Sequence, residues 1–357
     1  MSIKIIPIEN IDKHKWNRFC LNSDQAWFTH TTHWLEYTMN MSFSNNSTNH
    51  SYGVFDDTGL VAIVPLIEED VLGEEIREIS MAGFPTPYPV LRNDILPNYR
   101  MKIEKLIFDN ILSIDKIEYF NFYIPPLINN VLKSVIITNS LTKFGFHDTS
   151  ISTYVLSLNK TSDIILRKMR KGHKSDINYA LKKNYTIEII NSKNFSQSLF
   201  DKYEEIHFLA AKRKTRPEKS WKIMASWINN DLSFLALSKY YDKYISAAFV
   251  NVFNNKAYYQ SGATLPEYQT KRGLNHFLQW EVINYLLMSN YKFYELGWVW
   301  NNIVSQEVAD KKMQNISRFK SGFGAEEFPL FRGEYFQNKP FMIETYQNRI
   351  NKYWKKS

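Results

Sequence analysis

The sequence predicts an α/β chain of the α+β kind: two tandem units, each a mixed, mainly antiparallel sheet flanked by helices. Three observations predict it. The chain has 357 residues, and at roughly 100–200 residues per domain that length suggests about two. Period-2 apolar runs and helical stripes alternate along the chain instead of forming blocks of one kind. Hydrophobic residues make up 44% and charged residues 22%, the balance of an ordinary globular protein. The expected domains are residues 1–150 and 151–357, with a ligand groove between them, where deep concave sites preferentially form.

In the first half, Ile3–Ile8 reads as a short strand and Ile11–Cys20 as a helix, and Thr31 or Thr32 caps a second helix through Trp34. Phe43–Ser51 is an Asn-rich loop. Ser51–Asp56 and Leu60–Glu68 flank Asp57-Thr58-Gly59, the pattern of a hairpin. Arg77–Ala82 is a strand, Gly83–Pro89 a rigid loop with three prolines, Asn98–Ser113 a helix and Lys116–Ile124 a strand. In the second half, Thr153–Leu158 is a strand, and Thr161 or Ser162 caps one helix reaching about Lys183. Thr186–Ile190, Ser196–Arg213 and Trp221–Asn229 read as strand, helix and helix. Leu232–Leu237, Tyr244–Phe253 and Ala257–Ala263 form three antiparallel strands, Gly273–Met288 a helix and Lys292–Leu296 a strand ending at Gly297. Phe341–Trp354 is a final helix.

Composition narrows the function classes. Aromatics reach 15%, which serves a heavy core or grooves for planar or sugar-like ligands. The single cysteine, Cys20, excludes an intrachain disulfide and a Cys-based metal site. Among the eight histidines, His30 and His33 are spaced i,i+3 with no third ligand in sight, so no metal is expected. The N-terminus lacks a long apolar region and the longest apolar stretches are far short of a membrane span. The reading is a soluble cytoplasmic protein with no bound cofactor, in which the acceptor-like Asn45, Asn159 and Asn315 carry no meaning. Gly-x-Gly-x-x-Gly, Walker A, Gly-x-Ser-x-Gly and His-Glu-x-x-His patterns are absent. Net charge is +8, which favours anionic partners: phosphates, nucleic acid or a membrane surface.

Three segments concentrate candidate chemistry. In Arg167–Lys174, Arg167, Arg170, Lys171 and Lys174 fall at i, i+3, i+4 and i+7, a cationic stripe with no acid, beside an apolar stripe of Leu166, Met169, His173 and Ile177. Like charges so spaced repel, and phosphate binding is a reason to keep them. Lys212-Arg213-Lys214 at a helix end serves either a ligand or the helix dipole. In Phe319-Lys320-Ser321-Gly322-Phe323-Gly324 the glycines allow close backbone approach. Lys320 beside Phe319 places a cation against an apolar wall, suited to a developing oxyanion. The alternative for Lys320 is a salt bridge with Glu326 or Glu327 that pins the loop.

The basic segment through Asn178-Tyr179-Ala180 is followed by Tyr259-Gln260-Ser261-Gly262-Ala263 and Gly273-Leu274-Asn275-His276. Phe293-Tyr294-Glu295-Leu296-Gly297 and Phe319–Gly324 complete the series. With Asp24-Gln25-Ala26-Trp27-Phe28 and Trp34 near the start, this order resembles the FemAB-like aminoacyltransferases and the related acyltransferases of the GNAT superfamily. The resemblance implies two tandem GNAT-like domains and amide-forming acyl transfer to an amine. The implied donor is an aminoacyl-tRNA or an acyl-CoA thioester. The implied acceptor is a peptidoglycan precursor, a nucleotide sugar or another envelope sugar. It also implies that Phe319 and Lys320 lie at the reacting ester. Trp34, Tyr259, Gln260, Asn275, Gly322, Phe323 and Gly324 join Arg167, Arg170, Lys171, Lys174, Arg213 and Lys214 as candidate binding positions. The coiled-coil arm of some aminoacyl members is missing, and Gln269–Asn275 only loosely echoes the pyrophosphate loop of acyl-CoA enzymes, so both donors stay open. Glu295 and His276 are candidate bases by residue type. A second reading is a non-catalytic binder of RNA or another anionic polymer. The basic tail Lys352–Lys356 adds an expectation of peripheral membrane contact.

Overall fold

The computed structural model describes residues 2–41, 46–70, 76–133, 138–300 and 309–355. The loop residues 43–45, with the acceptor-like Asn45, and Lys356 of the basic tail lie outside the described residues. Packing divides the chain into two units. One comprises Met1–Ser152, Trp300–Gln314 and Phe328–Ser357; the other comprises Thr153–Val299 and Asn315–Glu327.

The first unit holds two sheets. The smaller has the order Lys4–Pro7, Tyr52–Asp56, Gly59–Val64, Val90–Leu91. The larger runs His147–Asp148, Arg332–Phe336, Tyr119–Tyr123, Arg77–Ile79, Ile67–Asp70, Ser47–Asn49, with Thr86–Pro87 also paired to Tyr119–Tyr123. The expected strand Leu60–Glu68 is therefore two strands in two sheets. Pro65 between them has no N–H to donate and breaks the ladder. Helix Pro97–Leu112 buries Ile103, Ile107, Phe108 and Ile111, a helical stripe, into a core with Val61, Phe120 and Phe122.

The end of the chain corrects the expected 151–357 domain. Arg332–Phe336 pairs antiparallel with Tyr119–Tyr123, so Phe328–Ser357 belongs to the first unit. Cross-strand aromatics hold this register: Phe336 lies opposite Tyr119 with ring centroids 4.8 Å apart.

The second unit is one sheet. Tyr185–Ile190, Ser233–Tyr240, Lys243–Phe253 and Lys256–Thr264 form an antiparallel ladder. Phe293–Val299 then pairs in parallel, followed by Ile151–Ser157 and Glu326–Leu330. Helix Leu274–Met288 is buried on most sides, through Leu274, Phe277, Leu278, Trp280, Val282, Ile283 and Leu286. Gly273 opens it at φ +78, where a Cβ would stand 2.4 Å from the Asp176 carbonyl oxygen. Only glycine fits that junction.

Two further expectations change here. The single helix to Lys183 is two, Ser162–Lys168 and Lys171–Ala180, separated by Met169 and Arg170 with ψ of 149° and 142°. The Arg170 amide donates to the Gly322 carbonyl (2.9 Å), a partner an unbroken helix would deny it. Phe319 and Lys320 lie in the last turn of helix Lys311–Ser321, not in a loop. Among the described residues no helix is long and apolar enough to cross a membrane.

Candidate active site

Strand Phe293–Val299 and helix Lys311–Ser321 bring Glu295 and Lys320 together in the second unit. Glu295 is 3% exposed. The Thr153 hydroxyl, from the neighbouring strand, donates to its Oε1 at 2.7 Å. Gly297, two residues on and so on the same face of the strand, has φ +99; a Cβ there would stand 2.8 Å from Lys320 Nζ. The missing side chain leaves room for the ammonium against the backbone. Burial pushes the Glu295 carboxyl up to about 7, although Thr153 and Lys320 both act to lower it. Burial pulls Lys320 down to about 8, although Glu295 acts to raise it. Each charge acts on the other's titration, behind the larger effect of burial. Near neutral pH the pair can hold a charge against an oxyanion and also accept a proton.

A cluster of aromatic and imidazole rings supports the helix that carries Lys320. His173 Nε2 bonds the Phe319 carbonyl oxygen at 2.8 Å. Its ring packs at 4.4 Å from His276, 4.7 Å from Phe323 and 5.6 Å from Phe319. A Cβ on Gly322 would stand 2.1 Å from the His173 ring, and one on Gly324 would stand 3.1 Å from Lys168 Cβ. These glycines therefore admit protein, where the sequence suggested approach of a ligand. Burial and the neighbouring His173 lower His276 to about 4. It is a neutral imidazole whose Nδ1 lies 3.7 Å from Asp176. Of the two candidate bases, Glu295 is the one beside Lys320. The alternative ion pairs for Lys320 do not form: Glu326 faces Lys168 at 3.9 Å and Glu327 accepts from Tyr154.

The cationic stripe is broken with its helix. The Arg170 guanidinium donates to the Arg318 carbonyl, and Lys174 Nζ reaches the Arg167 carbonyl at 3.4 Å. Both carbonyls belong to last helical turns, which cations stabilise. Arg167 and Lys171 are exposed. Arg213 and Lys214 are exposed beyond Lys212, which closes its helix at φ 56. Nearby, Arg216 is buried over the Trp221 ring at 4.8 Å, with Nη1 3.2 Å from His207 Nε2. Gln260 is the extra residue of a bulge, since Phe249 pairs with Ser261 and Val250 with Tyr259. It accepts from Asn251 at 3.2 Å. Burial pushes Tyr259 up to about 12. Asn275 accepts from Ser246 and Thr264, each at 3.0 Å, tying its helix to the sheet. Trp34 lies in the first unit, buried with ring centroids 5.9 Å from Phe28 and 5.2 Å from Tyr37.

Sequence reasoning does not find Thr153, His173 as a clamp, or the role of Gly297. Gly297 has a visible signal, its place in Glu295-Leu296-Gly297 at a strand end; Thr153 has none. Among the described residues a cavity of about 580 Å³ is lined by Lys202, Glu205, Ile206 and Tyr244. Another, of about 390 Å³, is lined by Tyr88, Arg100, Met101 and Glu104. Lys320 and Glu295 line neither.

The fold recurs in solved structures. FemX superposes with a TM-score of 0.65 at 14% identity, covering 96% of this chain and 98% of that one. L-PGS from Bacillus licheniformis gives 0.56 at 11% identity, over 95% and 96% of the two chains. A tandem GNAT protein from the clavulanic acid biosynthesis pathway gives 0.51 at 8% identity, over 94% and 99%. No protein-family model matches the chain, and no curated protein does. The α+β fold expected from the motifs is the fold observed, and at these identities the likeness is one of fold.

Proposed function

We propose that the protein is an N-acyltransferase, forming an amide on an amine of a cell-envelope precursor in the cytoplasm. The acceptor is an amino sugar, a nucleotide sugar or a peptidoglycan stem peptide. The donor is an acyl-CoA or an aminoacyl-tRNA. The observation that carries the reading is half-buried Lys320 beside buried Glu295, with Lys320 at about 8 and Glu295 at about 7. Fold likeness to FemX, L-PGS and a tandem GNAT protein supports it.

In this reading the neutral amine attacks the ester or thioester carbonyl, and Lys320 stabilises the oxyanion that develops. Glu295 takes the proton the amine must lose. The carbonyl re-forms as the C–O or C–S bond breaks, and the leaving alkoxide or thiolate is protonated. Phe319, one residue before Lys320 on the same helix, excludes water, which strengthens the field of the ammonium. The exposed Arg167, Lys171, Arg213 and Lys214 meet phosphates of the donor or acceptor. Those same exposed cations favour the second reading, a binder of RNA or another anionic polymer, which has no use for a lysine set beside a buried carboxylate.

A mass-spectrometric screen decides. The protein is incubated with acetyl-CoA or charged tRNA and with amino-sugar nucleotides. Expected is an acyl mass added to an amine, abolished in Lys320→Ala. Absence of transfer from every donor, with tRNA bound equally by the native protein and Lys320→Ala, would overturn the reading in favour of the second.

A further inference from the structure

The cavity of about 390 Å³ is lined only by residues of the first unit, and its size suits a small organic ligand. Two rows of side chains face it. Pro97, Arg100, Met101 and Glu104 fall at i, i+3, i+4 and i+7, one face of helix Pro97–Leu112. Ser140 and Lys143 are three apart on the 3₁₀ helix Ser140–Phe144, where such positions eclipse. Ile124, Pro125 and Ile128 are buried and make an apolar wall, with Pro89 beside them. Proline fixes its own backbone angle, so this wall holds its shape. Met101 and Lys143 are exposed and mark the mouth.

The polar groups at this cavity are mostly donors, and several have nothing to bond. Arg100 Nε donates to Glu104 Oε1 at 3.0 Å, and Arg100 Nη2 donates to Gln25 Oε1. Arg100 Nη1, the Lys143 ammonium and the Ser140 hydroxyl have no hydrogen-bond partner among the described residues. The one acid in the lining, Glu104, is already spent on the Arg100 guanidinium. It also faces the Tyr88 hydroxyl: burial and Glu104 push that group up, so it stays an O–H donor to the acid. Arg100 and Lys143 against Glu104 leave one positive charge, that of Lys143, without a counter-charge. A further positive element joins it. Pro97 is the first residue of a 16-residue helix with no side-chain cap, so the positive end of the helix dipole lies at the same cavity.

We propose that this cavity binds a small amphiphilic monocarboxylate, an organic anion with an aliphatic body and one carboxylate head. Lys143 and the unspent edge of the Arg100 guanidinium hold the head, and the Ser140 hydroxyl is a further donor. The body lies along Ile124, Pro125 and Ile128, where burial of apolar surface favours it. A carboxylate brings acceptor oxygens and a single negative charge, matching donors without acceptors and one cation without a counter-charge. A phosphate monoester carries nearly two charges, more than the cavity balances. An organic cation would meet Lys143 and Arg100 with only a spent acid to receive it. The cavity lies in the unit that does not hold Lys320, and no step of the proposed acyl transfer uses it.

The test needs neither an acyl donor nor an amine acceptor, so it stands or fails apart from the proposed enzyme activity. The full chain is titrated calorimetrically with sodium octanoate. Three controls keep the body and change the head: 1-octanol without charge, octylammonium with the sign reversed, and octyl phosphate with the added charge. Expected is saturable binding of octanoate, at least tenfold tighter than any control. Lys143→Gln should weaken octanoate about tenfold and leave 1-octanol unchanged. Arg100→Gln should weaken it further; should that variant not fold, because Glu104 loses its cation, Lys143→Gln at the exposed mouth decides. Absence of saturable octanoate binding, equal or tighter binding of any control, or unchanged octanoate affinity in Lys143→Gln would overturn the proposal.

Discussion

Two acid sites, one in each unit, are built in opposite ways. In the second, Glu295 lies in the field of a cation, Lys320, and accepts from the Thr153 hydroxyl. In the first, Glu69 and Glu78 meet each other across the Ser80 hydroxyl. Burial pushes both Glu295 and Glu78 up to about 7, so the titration of either acid alone does not distinguish them. The partner does. Beside a lysine, a raised carboxylate is half of a proton-transfer pair. Beside a second carboxylate, the same elevation marks a deficit that a proton must fill.

The largest way to test the contrast is to remove the cation. Lys320→Ala should lower turnover by roughly 10²–10³, the effect of losing one preorganised oxyanion donor, while thermal melting below pH 7, where Glu295 holds a proton, shifts little. Lys320→Arg should rescue poorly, since a planar fork does not replace a compact point charge. Steady-state kinetics of the acyl transfer found in the mass screen checks both. Next in size is Gly297→Ala. Its Cβ would displace an ammonium that now stands 2.8 Å from that position, and a misplacement of about 1 Å can lower rate on the order of 10²-fold. Turnover should fall with Lys320 still in place.

A smaller effect separates the two acids directly. Both hold a proton to higher pH folded than unfolded, 7 against 4.5. The folded state therefore binds more protons between about 4.5 and 7, and stability falls as pH rises through that window. Lys320, at about 8 against 10.5, binds fewer protons folded than unfolded, so it adds stability as pH rises through 8 to 10.5. At pH 8 Glu78→Gln removes an uncompensated charge and should raise the melting temperature. Glu295→Gln strips Lys320 of its counter-charge and should lower it, by roughly 1–3 kcal/mol of stability. At pH 5, where each acid is already protonated, both substitutions should be nearly silent. Melts of both variants at the two pH values read this out; equal shifts at pH 8 would erase the distinction. Smallest is Thr153→Val. Loss of one hydroxyl donor, worth roughly 0.5–1.5 kcal/mol net, should move the acid limb of the kcat/KM profile to higher pH, because the bond lowers the Glu295 value.

Periodicity and turn chemistry made most elements of the second unit legible. The ladder from Tyr185 to Thr264 and helix Leu274–Met288 lie within a few residues of the expected strands and helix. Local pattern suffices where each element packs on its sequence neighbours. Phe319, Lys320 and Glu295 were visible as motif residues, and the break at Met169-Arg170 was not. The apolar positions at 166, 169, 173 and 177 keep helical spacing through it, and the bond that ends the helix comes from Gly322, about 150 residues away.

By itself the sequence determined the α+β class, the strand and helix order, and the residue types that carry chemistry, because these depend on side-chain spacing within about a dozen residues. Tertiary structure alone decided three things: that Phe328–Ser357 returns to the first unit, that Thr153 and Gly297 frame Glu295 and Lys320, and that Glu69 and Glu78 face each other with no cation paired to them among the described residues. The physical reason is common to all three. Strand pairing and burial set which side chains meet and how far their charges are desolvated, and neither property is encoded in any one segment.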